Sequence, residues 1–431
     1  MRSFKILRFS LMWFHKQIEG LLSSDPHFKD RPYEDLHARI IKSRSYNCGG
    51  FSNALIKLGH RPIDCFYDME WLQKKWAVEN SIRFDQTHWL LEIAEKQIEK
   101  HKPDVLFFQQ NALFPSDYLK SIKRRYPFIQ KIVTHFAFLG DNGDQSYSDL
   151  LLVGTPGLVK RYEERGLKPR LFYHYFDEGI LEELPETEEE KKYPVSFMGA
   201  SGFGHGVVHS DRYWLLRRLV EELPITMWLW EPDYPKHIWK KKLRDFLVDT
   251  LCYLPDFVLK GRSGQNQGKS RFGNLMKDSL DKKFRNTIQL RKPDKRLADL
   301  FPEKCHGPLL GMNYYRKMAE SKISFHKHGN NLSVVSGKTS NDIGAIRLFE
   351  ATGVGSCLLT DGGQNLKDLF LADEEVVTYT TDEEISKKIM YLLSNPNYLK
   401  SVAKKGQART LKDHTATKRF QCLAEWLEET I

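Results

Sequence analysis

Long apolar runs are missing from this chain: no stretch approaches the roughly 20 residues that a bilayer span requires. Cysteine is sparse. The six present, Cys48, Cys65, Cys252, Cys305, Cys357 and Cys422, form no C-x-x-C pair, and none stands near a histidine at zinc-finger spacing. This excludes a disulfide scaffold and a structural zinc site, and leaves reduced, mostly buried thiols of the cytoplasmic kind. No G-x-x-x-x-G-K-[ST], G-x-S-x-G or H-E-x-x-H occurs, so a P-loop NTPase, a typical serine hydrolase and a zinc protease lose their motif support. The apolar start, residues 4–14, carries Lys5 and Arg8 and lacks a small-residue cleavage site. It reads as a first strand rather than a signal peptide.

Charge is plentiful but unevenly placed. The net charge is +10, and residues 235–304 hold 18 Lys/Arg against 8 Asp/Glu, so the remaining 48 basic and 48 acidic residues cancel. Such a segment suits docking on anionic lipid, an acidic glycan or nucleic acid, and equally a solvated insertion between core elements. No aromatic stacking pattern accompanies it, so a nucleic-acid partner is not expected.

A chain of 431 residues exceeds what one core supports and predicts two domains. Apolar strands alternate with helical spacing throughout. Strands are expected near residues 4–9, 61–67, 105–108, 131–136 and 150–154, with helices at 33–44, 51–58, 87–100, 118–125 and 156–164. Residues 181–192 are crowded with Glu and end in Lys-Lys-Tyr-Pro, which reads as a linker. A second series follows, with strands at 195–198, 225–230, 322–326, 356–360 and 375–379. Its helices fall at 211–223 (capped by Asp211), 312–320, 343–352, 364–371, 382–393 and from 397 onward. This is the pattern of parallel sheets wound with helices. The organisation expected is an α/β first domain over 1–180, a linker over 181–194 and a second domain over 195–405 interrupted by 235–304. The last helix, 406–431, would cross back to the first domain.

The most informative stretch is N-D-I-G-A-I-R-L-F-E-A-T-G-V-G-S-C-L-L-T-D-G-G, residues 341–363. Asn341 and Asp342 can cap the helix that follows, and free N–H groups at a helix start attract anions such as a pyrophosphate. Arg347 and Glu350 lie inward on that helix. A guanidinium binds phosphate oxygens in bidentate fashion, and an ion pair with Glu350 is the alternative. The next strand delivers Asp361, Gly362 and Gly363 to its carboxyl end, where open α/β sheets bind ligands. His326, Lys327 and His328 end another strand, where cationic groups would stabilise a developing negative charge. Gly199 and Ser201, in the G-A-S-G after the first strand of the second series, would let a phosphate approach backbone, or simply make a tight turn. In the first half, Gly49 and Gly50 open a helix, Gln109, Gln110 and Asn111 follow a buried strand, and His135 ends the next. His135 or His174 could serve as a general base.

The runs R-L-F-E-A-T-G-V-G, L-L-T-D, E-V-V-T-Y and G-Q-A-R-T-L-K-D-H-T resemble the C-terminal domain of the CgeB-like, spore-maturation-type glycosyltransferases, relatives of the GT-B group-1 families. N-A-L-I-K-L-G-H and D-M-E-W-L-Q-K-K-W extend the resemblance into the first half, and His414, Thr415 and Arg419 match the family's H-T…R pattern. The resemblance implies the GT-B fold, two Rossmann-like domains facing each other across a cleft. It also implies a nucleotide-sugar substrate bound by the second domain and no separate cofactor. Glu350 matches the Glu that holds the nucleotide ribose, and Asp342 fills the place of an acidic residue eight positions earlier. The donor set would be Gly199, Ser201, His326, Lys327, His328, Asp342, Arg347, Glu350, Gly362 and Gly363. Gly49, Gly50, Gln110 and Asn111 would meet a glycan, lipid-linked or protein acceptor. No D-x-D occurs, which fits a diphosphate leaving group neutralised without a metal. A sugar-nucleotide epimerase of the same shape, or a non-catalytic binding protein, stays open as an alternative. The expected location is cytoplasmic, with the basic segment on the inner membrane face.

Overall fold

The computed structural model describes residues 2–12, 14–45, 48–110, 113–137, 144–185, 191–204, 207–234, 247, 279, 293–328 and 342–429. Two six-stranded parallel sheets carry the fold. The first is ordered β2-β1-β3-β4-β5-β6, from β1 (Lys5–Ser10), β2 (Arg61–Phe66), β3 (Val105–Gln109), β4 (Lys131–Phe136), β5 (Leu150–Val153) and β6 (Pro169–Leu171). The second is ordered β12-β11-β10-β7-β8-β9, from β7 (Tyr193–Ala200), β8 (Ile225–Trp230), β9 (Cys305–His306), β10 (Ser321–His326), β11 (Cys357–Asp361) and β12 (Val377–Tyr379).

Both sheets are covered on both faces, which is why their central strands are apolar without alternation. In β3, Val105 and Phe107 pack under the Gly50–Lys57 and Ala416–Glu429 helices, with Phe51, Phe420 and Leu423. Leu106 and Phe108 point the other way, towards Ile98, Leu119 and Ile122. In the second sheet, Cys357 and Leu359 join Phe197 and Phe325 on one face, while Leu358 meets Phe349 and Phe370 on the other. A period of two residues therefore assigns each side chain to one of two cores.

The strand orders locate the crevices. In the first sheet the chain steps from β1 to β2 on one side and to β3 on the other; in the second it reverses between β7 and β10. Ligands of open parallel sheets collect outside the carboxyl ends of strands at such reversals. The carboxyl ends of the two sheets face each other. Phe14, beyond β1, packs on Trp230 at the end of β8 with ring centroids 4.8 Å apart. Gly344 sits so close to the turn after β5 that a Cβ there would lie 2.8 Å from the Gly154 carbonyl oxygen. Gly311 meets Ser43 in the same way, at 2.4 Å from a built Cβ to the Ser43 oxygen.

The chain crosses between the lobes twice, and the crossings touch. Phe176 pairs with Thr415, its N–H donating to the His414 carbonyl at 2.9 Å and its own carbonyl accepting from Ala416 at 2.8 Å. The Pro396–Asp413 helix packs on the second lobe; after His414 and Thr415 the Ala416–Glu429 helix packs on the first. Helices at His15–Leu22 and Glu70–Glu79 and the short edge strands β6 and β9 were not among the elements expected. The helix starting at Val207 places Asp211 inside it, not at its cap. The basic segment lies outside the described residues except for 247, 279 and 293–304, as do 186–190 of the expected linker.

Candidate functional site

The reversal between β7 and β10 is closed by one side chain. Arg212, from the Val207–Glu222 helix, donates to the Ala200 carbonyl at 3.2 Å and to the Lys327 carbonyl at 2.7 Å, tying the two strand ends together. β10 then delivers His326 and His328. The His328 backbone N–H donates to Asp361 (3.0 and 3.2 Å), and its Nδ1 lies 2.6 Å from the same carboxylate at the end of β11. Burial works to raise the Asp361 carboxyl, but the bonds from His328 hold it below the ordinary range. With Nδ1 spent on Asp361, Nε2 is the free face of the His328 ring.

The His326 ring stands edge-on to His328, centroids 4.5 Å apart. Burial first, and then His328, Arg347 and Arg212, push its imidazole well below the ordinary value, so it is neutral near pH 7. Arg347 lies flat over the Tyr314 ring, 4.7 Å from its centroid. Nε2 of His326, Nε2 of His328 and Nε of Arg347 are all buried without a hydrogen-bond partner. A buried, unpaired polar group costs about 1–3 kcal/mol. Three such groups gathered at one crevice mark a place where an external acceptor completes the bonding.

Glu350 lies beneath this cluster. It is 6 % exposed, and its oxygens accept from the Tyr314 hydroxyl at 2.5 Å and the Tyr315 hydroxyl at 3.1 Å. Arg347 Nε is 3.5 Å from the same carboxylate. The expectation of a carboxylate free for two ribose hydroxyls needs correcting, because a ribose would have only the lone pairs the tyrosines leave.

Asp342, Ser201 and Lys327 of the expected donor set are engaged elsewhere. The helix begins at Ile346, not residue 343, because Asn365 pins the Ile343 backbone: its Oδ1 accepts from the Ile343 N–H at 2.8 Å and its Nδ2 donates to the Ile343 carbonyl at 2.7 Å. Ala345 is therefore the cap residue, and Asp342 caps a different helix, accepting from Gly157 N–H in the Pro156–Glu163 helix of the first lobe. Ser201 is fully buried and donates to Glu231 at 2.6 Å, a turn-locking role. The Lys327 ammonium turns away from the histidines to Asp382, at 2.8 and 3.1 Å. Gly199 lies within β7; Gly362 is exposed beyond β11, with open space around it, and Gly363 follows. Asn341 and the rest of the loop before it lie outside the described residues.

In the first lobe, Gly49 and Gly50 are buried and do not face an opening. A Cβ on Gly49, where φ is +95°, would lie 2.5 Å from Arg44, and one on Gly50 would lie 3.0 Å from Tyr175. These glycines make room for the Arg44–Asp177 ion pair, 2.9 Å long. His135 is buried, and burial together with His174 lowers it to about 3. His174 is lowered to about 4 by burial and Arg419. Neither has the access or the basicity of a general base. Gln110 follows β3 with φ at +65°, a conformation held by the Tyr67 hydroxyl on its carbonyl (2.5 Å) and its own N–H on the His135 carbonyl (3.1 Å). Asn111 lies outside the described residues.

Sequence reasoning missed Arg212, Tyr314 and Tyr315, and also a histidine–carboxylate pair at the first lobe's own crevice. His15 Nε2 lies 2.6 Å from Asp68 Oδ2, and Asp68 also accepts from Met12 N–H at 2.8 Å. Among the described residues no group of three His, Cys, Asp or Glu is placed to hold a metal ion, and no helix is long and apolar enough to cross a membrane.

Residues 285–425 match a family model described as glycosyl transferase-like. A glycosyltransferase from Rickettsia africae is similar in structure at a TM-score of 0.50 and 11% identity, over 100% of this chain and 99% of that one. HepE of Anabaena, solved in complex with UDP, is similar at a TM-score of 0.50 and 11% identity, over 99% of this chain and 100% of that one. No curated protein sequence matches the chain. At such identity the likeness is one of fold, and the fold is GT-B: two Rossmann-like domains with their strand ends opposed.

Proposed function

We propose that the chain is a glycosyltransferase that takes a sugar from a nucleotide diphosphate donor and passes it to an acceptor hydroxyl in the space between the lobes. The observation that carries this is the gathering, at the β7–β10 reversal, of the buried His326 and His328 Nε2 atoms, which have no hydrogen-bond partner, beside the Arg347 guanidinium, whose Nε has only the 3.5 Å ion pair with Glu350. A departing diphosphate presents the oxygens these groups lack. Arg347 would supply a fixed positive charge, His328 would be held in place by its bond to Asp361, and neutral His326 would donate without repelling its neighbours. Such donors, aimed in advance at developing charge, lower the barrier without reorganising during the reaction. The glycosyl transferase-like match over the same lobe, and the UDP bound by the structurally similar HepE, support the nucleotide donor. The R-L-F-E-A-T-G-V-G run supports the CgeB-like branch, with a cell-surface glycan, lipid-linked glycan or protein as acceptor.

The test is a melting screen with UDP, GDP, CDP and dTDP and their hexose conjugates. A ligand at a hundred times its dissociation constant adds about 2.7 kcal/mol to stability. One nucleotide family should raise the melting temperature of the wild type and not of Arg347→Ala. A screen in which none does so overturns the reading, and release of an isomerised nucleotide sugar would replace it with epimerisation. Residues 235–304 add an expectation of docking on anionic lipid, which unchanged liposome binding in low salt after deletion of 235–300 would remove.

A further inference from the structure

We propose that Tyr314 is a positioning residue for phosphate binding: its hydroxyl occupies the Glu350 oxygen onto which Arg347 would otherwise close, and so keeps the guanidinium available to a diphosphate. The inference rests on the donor reading above and deepens it, by assigning the group that holds Arg347 ready.

Arg347 and Glu350 stand three residues apart on the Ile346–Gly353 helix, a spacing at which opposite charges meet on one face. A guanidinium and a carboxylate free to pair draw together to about 2.7–2.9 Å. Here Arg347 Nε stays 3.5 Å from Glu350 Oε2, and that nitrogen is buried without a hydrogen-bond partner. The Gly311–Ala319 helix supplies the cause. Its Tyr314 hydroxyl donates to the same Oε2 at 2.5 Å, while Tyr315 donates to the other oxygen, Oε1, at 3.1 Å. The Tyr314 ring also lies under the guanidinium, 4.7 Å from centroid to Cζ. One side chain therefore takes Arg347's local acceptor with its hydroxyl and supports the guanidinium face with its ring.

The hydroxyl keeps its proton for this purpose. Burial first, and then Glu350, push the Tyr314 phenol well above its ordinary value, against the pull of Arg347. The Glu350 side chain is 8 % exposed, so little water competes for Oε2, whereas the Arg347 side chain, at 19 %, keeps an open edge. The charge of Arg347 acts on His326, which puts the guanidinium beside the histidine cluster. Without the hydroxyl, a shift of roughly 0.7 Å would give Arg347 a full charge-assisted bond to Glu350. A diphosphate would then have to break that pair before it could bind.

A tyrosine that merely packs would act on affinity through the stability of the fold. A hydroxyl that competes for Oε2 acts only while both Arg347 and the Glu350 charge are present, and a double-mutant cycle separates the two. Affinities of the full chain for UDP, GDP, CDP and dTDP are measured by titration calorimetry, with folding followed by thermal melting. Tyr314→Phe keeps the ring and should bind the preferred nucleotide about tenfold more weakly, the scale of one charge-assisted hydrogen bond. Tyr315→Phe strips the same carboxylate of a bond at its other oxygen and should lose about twofold at most. In a Glu350→Gln background, where no charge waits for Arg347, Tyr314→Phe should again change affinity by less than about twofold. That last comparison also serves if Tyr314→Phe alone does not fold. Wild-type affinity in Tyr314→Phe, an equal loss in Tyr315→Phe, or a tenfold loss that persists in the Glu350→Gln background each overturns the inference and leaves the donor reading in place. A wild type that binds none of the four nucleotides overturns the donor reading, and the inference with it.

Discussion

The carboxylate of Asp342, in the second lobe, accepts the backbone N–H of Gly157 in the first turn of a first-lobe helix, 2.5 Å away and 185 residues earlier in the chain. A helix cap is thus supplied across the cleft. Beside it, Gly344 lets the two backbones approach: a Cβ would come within 2.8 Å of the Gly154 oxygen and 2.9 Å of Thr155 Cγ2. Asp342→Ala should lose about 1 kcal/mol, the usual worth of a cap. Gly344→Ala should cost more, about 1–3 kcal/mol, because backbone must move. Urea unfolding measures both. Since the contact joins the lobes, both variants should also weaken nucleotide binding without altering any residue of the histidine cluster.

Arg347 offers a second test. It lies flat on Tyr314, and its Nε is buried without a hydrogen-bond partner, so shape matters as well as charge. Arg347→Ala should reduce affinity for the nucleoside diphosphate about ten- to a hundredfold, the loss expected for charge-assisted hydrogen bonds. Arg347→Lys should restore little of it, because an ammonium neither stacks nor forks. Titration calorimetry at two salt concentrations would show this; a lysine variant that binds like the wild type would reduce Arg347 to a point charge.

How far the sequence discloses this arrangement depends on the range of the interactions. β3 and β5 are legible because strands buried on both faces must be apolar throughout, and β10 because it ends in a basic cluster after Ile323 and Phe325. β6 and β9, of three and two residues, carry no periodicity to read. His326 and His328 could be named because they are local to one strand end. The His15–Asp68 pair could not, since 53 residues separate its members and only the adjacency of β1 and β2 brings them together. The helix start at Ile346 was misplaced for a related reason: Asn365, 22 positions later, holds the Ile343 backbone. Gly49 and Gly50 show the converse error, in which glycines that suggest a ligand instead accommodate the Arg44–Asp177 pair.

Glu350 should prove to be a stability residue as well as a donor-site one. Glu350→Ala would strand the hydroxyls of Tyr314 and Tyr315, at a cost of about 2–5 kcal/mol for the two. Glu350→Gln keeps an acceptor oxygen and should fall between that variant and the wild type. Tyr314→Phe removes one donor and leaves the carboxylate its other partner, so its loss should be the smallest. Denaturant midpoints rank the three; equal stability of Glu350→Ala and the wild type would show that the tyrosines find other partners.

Buried histidines should make the fold acid-sensitive above the pH at which carboxylates titrate. His135 is lowered to about 3 by burial and His174, and His174 and His414 each to about 4, chiefly by burial. His326 is lowered well below 6.5 by burial, His328, Arg347 and Arg212. Each folded-state value lies below that of the unfolded chain, so unfolding takes up protons as the pH drops beneath the unfolded value. The stability these neutral rings allow is therefore complete above pH 6.5 and is lost as pH falls. Below that point each ring contributes a slope of about 1.4 kcal/mol per pH unit. Arg8 near His135, Arg419 near His174 and His414, and Arg409 near His414 act in the same direction, while the Asp413 carboxylate and the Phe172 and Leu369 backbone groups oppose them. Urea unfolding free energies between pH 7.5 and 5.5 give the proton uptake directly. His135→Asn should reduce that uptake by one proton, at some cost in stability at pH 7.5; identical slopes for variant and wild type would mean that His135 is already charged in the fold.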